Sequence, residues 1–258
     1  MIYNISSKHN QTIKTIRQLK RKNIRTEEKK FIAEGRKIVL EAFENIPERI
    51  FCLSASETFA KAEPDIIKKA DEICGKVFVV PDGLFDELSD TETPQGVLAV
   101  VSICEEETCP SQNVRKVVIL DGVSEPGNLG TIIRTAEALG FDGIYLTKGC
   151  ADIYSPKTVR STMGSLFRMK FKANCTAGDI KELQGQGLVL IATTPAGDTV
   201  LEKFSPPEKF AVVIGNEAHG VSAEVLELSD FKVKITMEGR AESLNAAVAA
   251  GIAMHWLI

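Results

Sequence analysis

From Val117 onward the sequence alternates short, mostly apolar runs with stretches of helical periodicity. The runs are VVILDG (117–122), GIYLT (143–147), FRMKF (167–171), LVLIATT (188–194), AVVIG (211–215) and FKVKI (231–235). Each is too short for a helix, and most lack polar alternation, so they read as strands buried on both faces. Helical segments lie over Asn128–Leu139, Lys157–Met163, Asp179–Gln184 and Ala223–Leu228, and a last one over Ser243–Leu257. Strands separated by helices are joined by crossovers, and crossovers produce a parallel sheet covered on both faces.

The amino-terminal part is also α/β. FIAEGRKIVLEAF (31–43) reads as a strand running into a helix. FCLSA (51–55), KVFVV (76–80) and GVLAVVSI (96–103) read as strands, with helical stretches over Phe59–Cys74 and Asp82–Leu88. The acidic, polar segment CEEETCPSQN (104–113) has the composition of a linker. The expected organisation is therefore a domain over 1–103, a linker over 104–113 and a second domain over 114–258.

Charge is unevenly spread. The chain carries a net −4, yet residues 1–37 hold eleven Lys or Arg against three acids. Ile13, Ile16 and Leu19 recur at helical spacing with Lys14, Arg17 and Arg21 on another face, which predicts an amphipathic helix with a basic side. A local basic footprint of this kind answers a phosphate backbone whatever the total charge. Residues 1–30 are expected to form a basic extension, with Lys14, Arg17, Arg21, Arg25 and Arg36 as candidate phosphate-backbone contacts.

Other classes are disfavoured. No apolar run has transmembrane length, and MIYNISSKHNQTIK lacks the apolar stretch of a signal peptide, so a cytoplasmic protein without membrane contact is expected. The six cysteines form no C-x-x-C pair, and none of the three histidines lies near a cysteine pair, so neither a disulfide framework nor a metal site is expected. G-x-G-x-x-G and G-x-x-x-x-G-K-[ST] are both absent, which removes most support for a nicotinamide or ATP-hydrolysing enzyme.

In open parallel sheets ligands bind beyond the carboxyl ends of strands. Three loops there are rich in Gly, Asn, Ser and acids. In LDGVSEPGNLGTIIRTAEALG (120–140), Leu129, Ile132, Ile133, Ala136 and Leu139 share the sheet-facing side of a helix, leaving Asn128 and Arg134 elsewhere. Asn128 reads either as a helix cap or as a site residue, and Arg134 either as a surface charge or as a functional cation. In VVIGNEAHGVS (212–222), Gly215 and Gly220 bracket Asn216 and Glu217. Glu217 is either functional or a cap for the helix that follows, and His219 reads as incidental. In KITMEGRAESLNAAVAAGIAMHW (234–256), Ser243 reads as an N-cap or a site residue, and Asn245 stands one turn into a helix of small side chains that should be tightly enclosed.

Taken in order, these segments resemble the SpoU (TrmH-like) RNA 2′-O-ribose methyltransferases of the SPOUT superfamily. The resemblance lies in D-x-V-x-x-P-x-N-x-G-x-x-x-R-T-A-x-x-x-G, then G-N-E-x-x-G, then M-x-G-x-x-x-S-L-N. The amino-terminal half resembles the family's L30e-like substrate-binding domain through its basic start, F-x-x-E-G-R (Phe31 to Arg36) and T-P-Q-G (Thr93 to Gly96). Ala218 stands where many members have Gly, and Ala246-Ala247 where Val-Ser is common. The resemblance implies an L30e-like α/β domain followed by a SPOUT domain with a deep trefoil knot. It also implies S-adenosylmethionine as methyl donor and a homodimer formed through the knotted domain, with the active site shared across it. By the same resemblance Arg134, Asn128, Glu217, Ser243 and Asn245 take the catalytic positions, and Thr193, Gly215, Asn216, Ile235 and Leu244 the donor contacts. The expected substrate is a ribose 2′-OH of RNA, with 23S rRNA favoured over tRNA. A catalytically silent RNA- or ribosome-binding relative is the second reading.

Overall fold

The computed structural model describes residues 1–103, 113–240 and 243–258. All of the expected linker except Asn113 lies outside the described residues, as do Cys104, Cys109, Ala241 and Glu242. The chain divides into two compact units. The first holds the residues that precede the 104–112 stretch together with Asp152–Arg168; the second holds those that follow it up to Ala151, together with Met169–Ile258.

The first unit runs β1 (Ile2–Asn4), α1 (Gln11–Gln18), α2 (Lys22–Glu28), β2 (Lys30–Glu34), α3 (Arg36–Asn45), β3 (Ile50–Ser56), α4 (Glu57–Ala62), α5 (Pro64–Cys74), β4 (Val77–Val80), α6 (Asp82–Leu88) and β5 (Val97–Ser102). Its sheet has the order β1-β4-β3-β5-β2, with β5 antiparallel to both neighbours. The expected helix over Phe59–Cys74 is two helices. Glu63 leaves helical geometry (φ −127°, ψ 59°), because the residue before a proline is pushed from the α region and Pro64 opens a new helix.

Residues 1–30 do not form an extension. β1 adds a parallel edge strand beside β4, and Ile13 and Ile16 of α1, with Leu19 just after it, are buried against Leu84, Phe85 and Leu88 of α6. The two amino-terminal motifs meet here. Gln95 Oε1 accepts the Arg36 backbone N–H at 2.8 Å, and buried Glu34 accepts the Asp90 N–H and the Thr91 hydroxyl, each at 3.1 Å. Gly96 (φ +78°) is required, since a Cβ would lie 2.8 Å from Ser56 Oγ.

The excursion Asp152–Arg168, which carries α8 (Pro156–Thr162), packs on this unit: Tyr154 lies 4.9 Å from the Phe31 ring, and Arg160 pairs with Asp90 at 3.1 Å. This explains why FRMKF is not a strand. Positive φ at Met163 (53°) and Gly164 (100°) turns the chain into a 3-10 segment over Ser165–Phe167, and the strand begins only at Phe171.

The second unit runs β6 (Lys116–Asp121), α7 (Pro126–Ala138), β7 (Gly143–Thr147), β8 (Phe171–Cys175), α9 (Ala177–Gly185), β9 (Val189–Thr193), β10 (Thr199–Val200), β11 (Phe210–Gly215), α10 (Ala223–Leu228), β12 (Phe231–Lys234) and α11 (Ala246–Trp256). Its sheet is parallel throughout in the order β10-β12-β9-β11-β6-β7-β8. Val117, Ile119, Leu190, Ala192, Ala211 and Val213 face Ile180 and Leu183 of α9 and Val225 of α10. α11 packs on β11 and against α7, with Gly251 facing Thr135. Because every strand runs the same way, Asp121, Thr147, Thr193, Gly215 and Lys234 end at one edge.

Candidate active site

A cavity of about 520 Å³ opens at that edge of the second unit. Its size suits a small organic ligand. Thr193, Gly215, Asn216, Ile235 and Leu244 all line it, joined by Glu217, His219 and Ser243. Apolar walls come from Ile214, Leu226, Ile235, Met237 and Leu244.

Several of these side chains face inward on the loops. The Thr193 hydroxyl donates to Val213 O at 2.8 Å, which ties the end of β9 to the neighbouring strand β11. Asn216 Nδ2 donates to Gly122 O at 2.7 Å, while its Oδ1 accepts the N–H groups of Ala218 and His219 at 2.9 and 3.1 Å. At Gly215 a Cβ would lie 2.1 Å from the Gly220 carbonyl carbon, so only glycine lets the loop fold back over the strand end. The exposed backbone and apolar walls form a cradle that fits a nucleoside-like group.

Glu217 lies at the centre of the polar constellation. Oε1 accepts from Asn128 Nδ2 at 2.9 Å and the Glu125 N–H at 3.1 Å; Oε2 accepts from the Ser124 N–H and hydroxyl, both at 3.1 Å. Burial raises its pKa, but the hydrogen bonds from Asn128 and the Ser124 and Glu125 backbone outweigh that and hold it at about 2. Glu217 is thus an anion tying the first loop to the second. It does not cap α10, whose cap is Ser222.

Asn245 Nδ2 donates to Asn128 Oδ1 at 2.9 Å, and Asn245 Oδ1 accepts from Ala247 N and Val248 N at 2.9 and 3.3 Å. The direction of this chain is determined at both ends. An anionic carboxylate can only accept, and the free N–H groups of a helix start can only donate, so both amides have one orientation. Asn245 is therefore the N-cap of α11 and not a residue one turn inside it, whereas Asn128 lies within α7, whose N-cap is Glu125. Ser243 is exposed on the cavity lining and caps nothing.

Asn128, Glu217 and Asn245 are thus brought together, beside a cavity that gathers the expected donor contacts and Ser243. Arg134 stands apart, exposed on α7 and outside the cavity lining. In the first unit Lys14 and Arg21 are exposed, while Arg17 pairs with Glu87 and Arg36 Nε donates to Glu63 at 2.7 Å. Arg25 is not on the basic face. It is 4% exposed, pairs with Asp152 at 2.5 Å and donates to Leu19 O and Lys20 O, each at 2.8 Å. Its place is structural because α2 turns it inward, toward an acid 127 residues away that local spacing cannot reveal.

Sequence reasoning missed Asp121, Thr147, Ser124 and Ser222, which hydrogen-bond the loops together. Only Asp121 carried a signal, as the first residue of the D-x-V motif. Among the described residues no group of three or more His, Cys, Asp or Glu could hold a metal ion, and no helix is long and apolar enough to cross a membrane.

Residues 115–255 match the SpoU rRNA Methylase family and residues 10–99 an MRM3-like substrate binding domain; the chain belongs to the SpoU rRNA Methylase family. It is 34% identical over 255 residues to the 23S rRNA (guanosine(2553)-2′-O)-methyltransferase RlmP of Bacillus subtilis, covering 98% of each chain. It is 32% identical over 238 residues to the 23S rRNA (uridine(2479)-2′-O)-methyltransferase of Streptomyces viridochromogenes, covering 89% of this chain and 82% of the relative. Among solved structures, the AdoMet-bound rRNA methyltransferase of Sinorhizobium meliloti superimposes with a TM-score of 0.86 at 30% identity, covering 99% of this chain and 97% of the other.

Proposed function

We propose that this chain is an S-adenosylmethionine-dependent methyltransferase of the cytoplasm acting on a ribose 2′-OH of 23S rRNA. The observation that carries the reading is the cavity at the strand ends, which gathers the expected donor contacts beside the hydrogen-bonded chain Glu217–Asn128–Asn245. The 23S rRNA activity of two relatives over most of this chain's length supports the substrate class.

S-adenosylmethionine, when bound, supplies the methyl group. Thr193, Gly215, Asn216, Ile235 and Leu244 hold it, largely through backbone groups and apolar surface. A ribose hydroxyl is a poor nucleophile at neutral pH, so its oxygen must be aligned and its developing charge stabilised. Guanidinium presents five N–H donors and no acceptor, so Arg134 acts as a fixed cation on the hydroxyl oxygen and adjacent phosphate, not as a base. Asn128, Glu217, Ser243 and Asn245 orient the ribose side of the site.

Arg134 lies outside the cavity of its own protomer, and the reading places it at that of a second copy. The surface of α11 supports such a dimer. Val248, Ile252 and Trp256 recur at helical spacing and are 50%, 38% and 47% exposed, followed by Ile258 at 52%. A contiguous apolar stripe of this kind marks an association surface. A trefoil knot in this unit belongs to the same proposal and rests on membership of the SpoU rRNA Methylase family. In the amino-terminal unit, Lys14 and Arg21, with Arg17 and Arg36, supply salt-sensitive phosphate contacts.

Calorimetric titration with S-adenosylmethionine, paired with transfer of its labelled methyl group to unmodified rRNA, tests the reading. Binding and transfer are expected. Binding of NAD in place of the donor would overturn it.

A further inference from the structure

We infer that Asp121 is a positioning residue for donor binding, acting through the Gly215–Ser222 loop that walls the cavity; the inference rests on the S-adenosylmethionine reading above. Asp121 ends β6 and is 9% exposed. Oδ2 accepts the Ser222 N–H at 2.7 Å and Oδ1 accepts the Thr147 hydroxyl at 2.9 Å. Thr147 Oγ1 in turn accepts the Gly122 N–H at 3.1 Å. A carboxylate withdrawn from water is costly unless both oxygens are met, and here both are.

Asp121 does not line the cavity, whereas Gly220 and Val221, which directly precede Ser222, do. The loop is closed on itself by two backbone bonds of 2.9 Å between Asn216 and Gly220. That closure shapes the loop without saying where it lies. Asn216, through Gly122 O, and Glu217, through the first loop, hold its entrance. Asp121 holds its exit. The packing of Gly215 beneath Gly220 and Val221 is close but non-directional, and Val221 is itself 7% exposed. The Asp121–Ser222 bond supplies the direction and sets how far the Gly220–Val221 peptide reaches into the cavity.

The test compares the full-length native chain with Asp121→Ala and Asp121→Asn. S-adenosylmethionine binding is measured by calorimetry, and thermal unfolding by circular dichroism. Asn keeps an oxygen for the Ser222 N–H; Ala does not. The expected result is a donor Kd raised tenfold or more in Asp121→Ala, at unchanged binding stoichiometry and with the Kd for RNA unchanged, and a Kd within threefold of native in Asp121→Asn. A purely structural role would lower the binding stoichiometry and melting temperature of Asp121→Ala while leaving the Kd of the folded fraction native, and that outcome overturns the inference. So does an Asp121→Asn variant as impaired as Asp121→Ala. A native chain that binds no S-adenosylmethionine overturns the donor reading itself, a failure visible before any variant is compared.

Discussion

Arg134 and Glu217 do different work, and single substitutions separate them. Arg134→Ala should abolish methyl transfer while the Kd for S-adenosylmethionine stays within about twofold, because the proposed role of Arg134 is toward the ribose hydroxyl and phosphate and not toward the donor. Loss of donor binding in a folded Arg134→Ala variant would refute its role. Glu217 accepts only as long as it is ionised. Its pKa is depressed from an ordinary 4.5 to about 2, so its contribution to stability is fully present above pH 4.5 and lost as pH falls through 2. Urea unfolding of the native chain and Glu217→Gln across pH 2–7 should show a gap that narrows through that window. Glu217→Gln leaves one acceptor where two are used, so its NH2 must oppose N–H donors on either the Asn128 or the Ser124 side, and transfer should fall at least tenfold. Glu217 could be picked out in the sequence as a loop acid, whereas the role given to Arg134 comes from the family resemblance alone, since it stands apart from the cavity lining. The partners of Glu217 were not legible in the sequence, because Ser124, Glu125 and Asn128 lie about 90 residues upstream, and only the fold brings the two loops together.

Helices show how far periodicity reaches. The buried and basic faces of α1 follow directly from its spacing, and Lys14→Glu with Arg21→Glu should weaken RNA binding and flatten its salt dependence in filter-binding assays. Arg25 belongs to the same charge run but answers to Asp152. Removing one partner of a buried ion pair is strongly destabilising, so Arg25→Ala should cost about 3 kcal/mol in chemical unfolding. The helix α11 has small residues toward the sheet and a large apolar stripe outward. Ile252→Glu should yield monomers in sedimentation velocity and reduce transfer; an unchanged oligomer would place the association surface elsewhere. The FRMKF run shows where local patterning misleads. Its apolar residues are real, but Phe167 ends a 3-10 segment and Phe171 begins the strand, a division made by the backbone at Met163 and Gly164.

At the scale of the molecule, alternation of strands and helices was enough to place a parallel sheet in the second unit and an α/β sheet in the first. The strand order β10-β12-β9-β11-β6-β7-β8 was not legible, since it depends on which crossovers pass which, and no local signal records that. Nor was the path of Asp152–Arg168, whose ties to the first unit run through Arg25, Phe31 and Asp90. The three loops, by contrast, were found from composition and order alone, because each leaves a strand end; the second and third line the cavity, and the first reaches it through its hydrogen bonds to Glu217. The central claim is transfer of a methyl group to a ribose hydroxyl of 23S rRNA. Its most direct test is incubation of the purified chain with methyl-labelled S-adenosylmethionine and rRNA from cells lacking the protein, followed by alkaline hydrolysis and mapping. Label is expected only in 23S rRNA and retained in an alkali-resistant dinucleotide, as a 2′-O-methyl group requires. Label on a base, in tRNA alone, or nowhere despite folded, donor-binding protein would contradict ribose methylation of 23S rRNA.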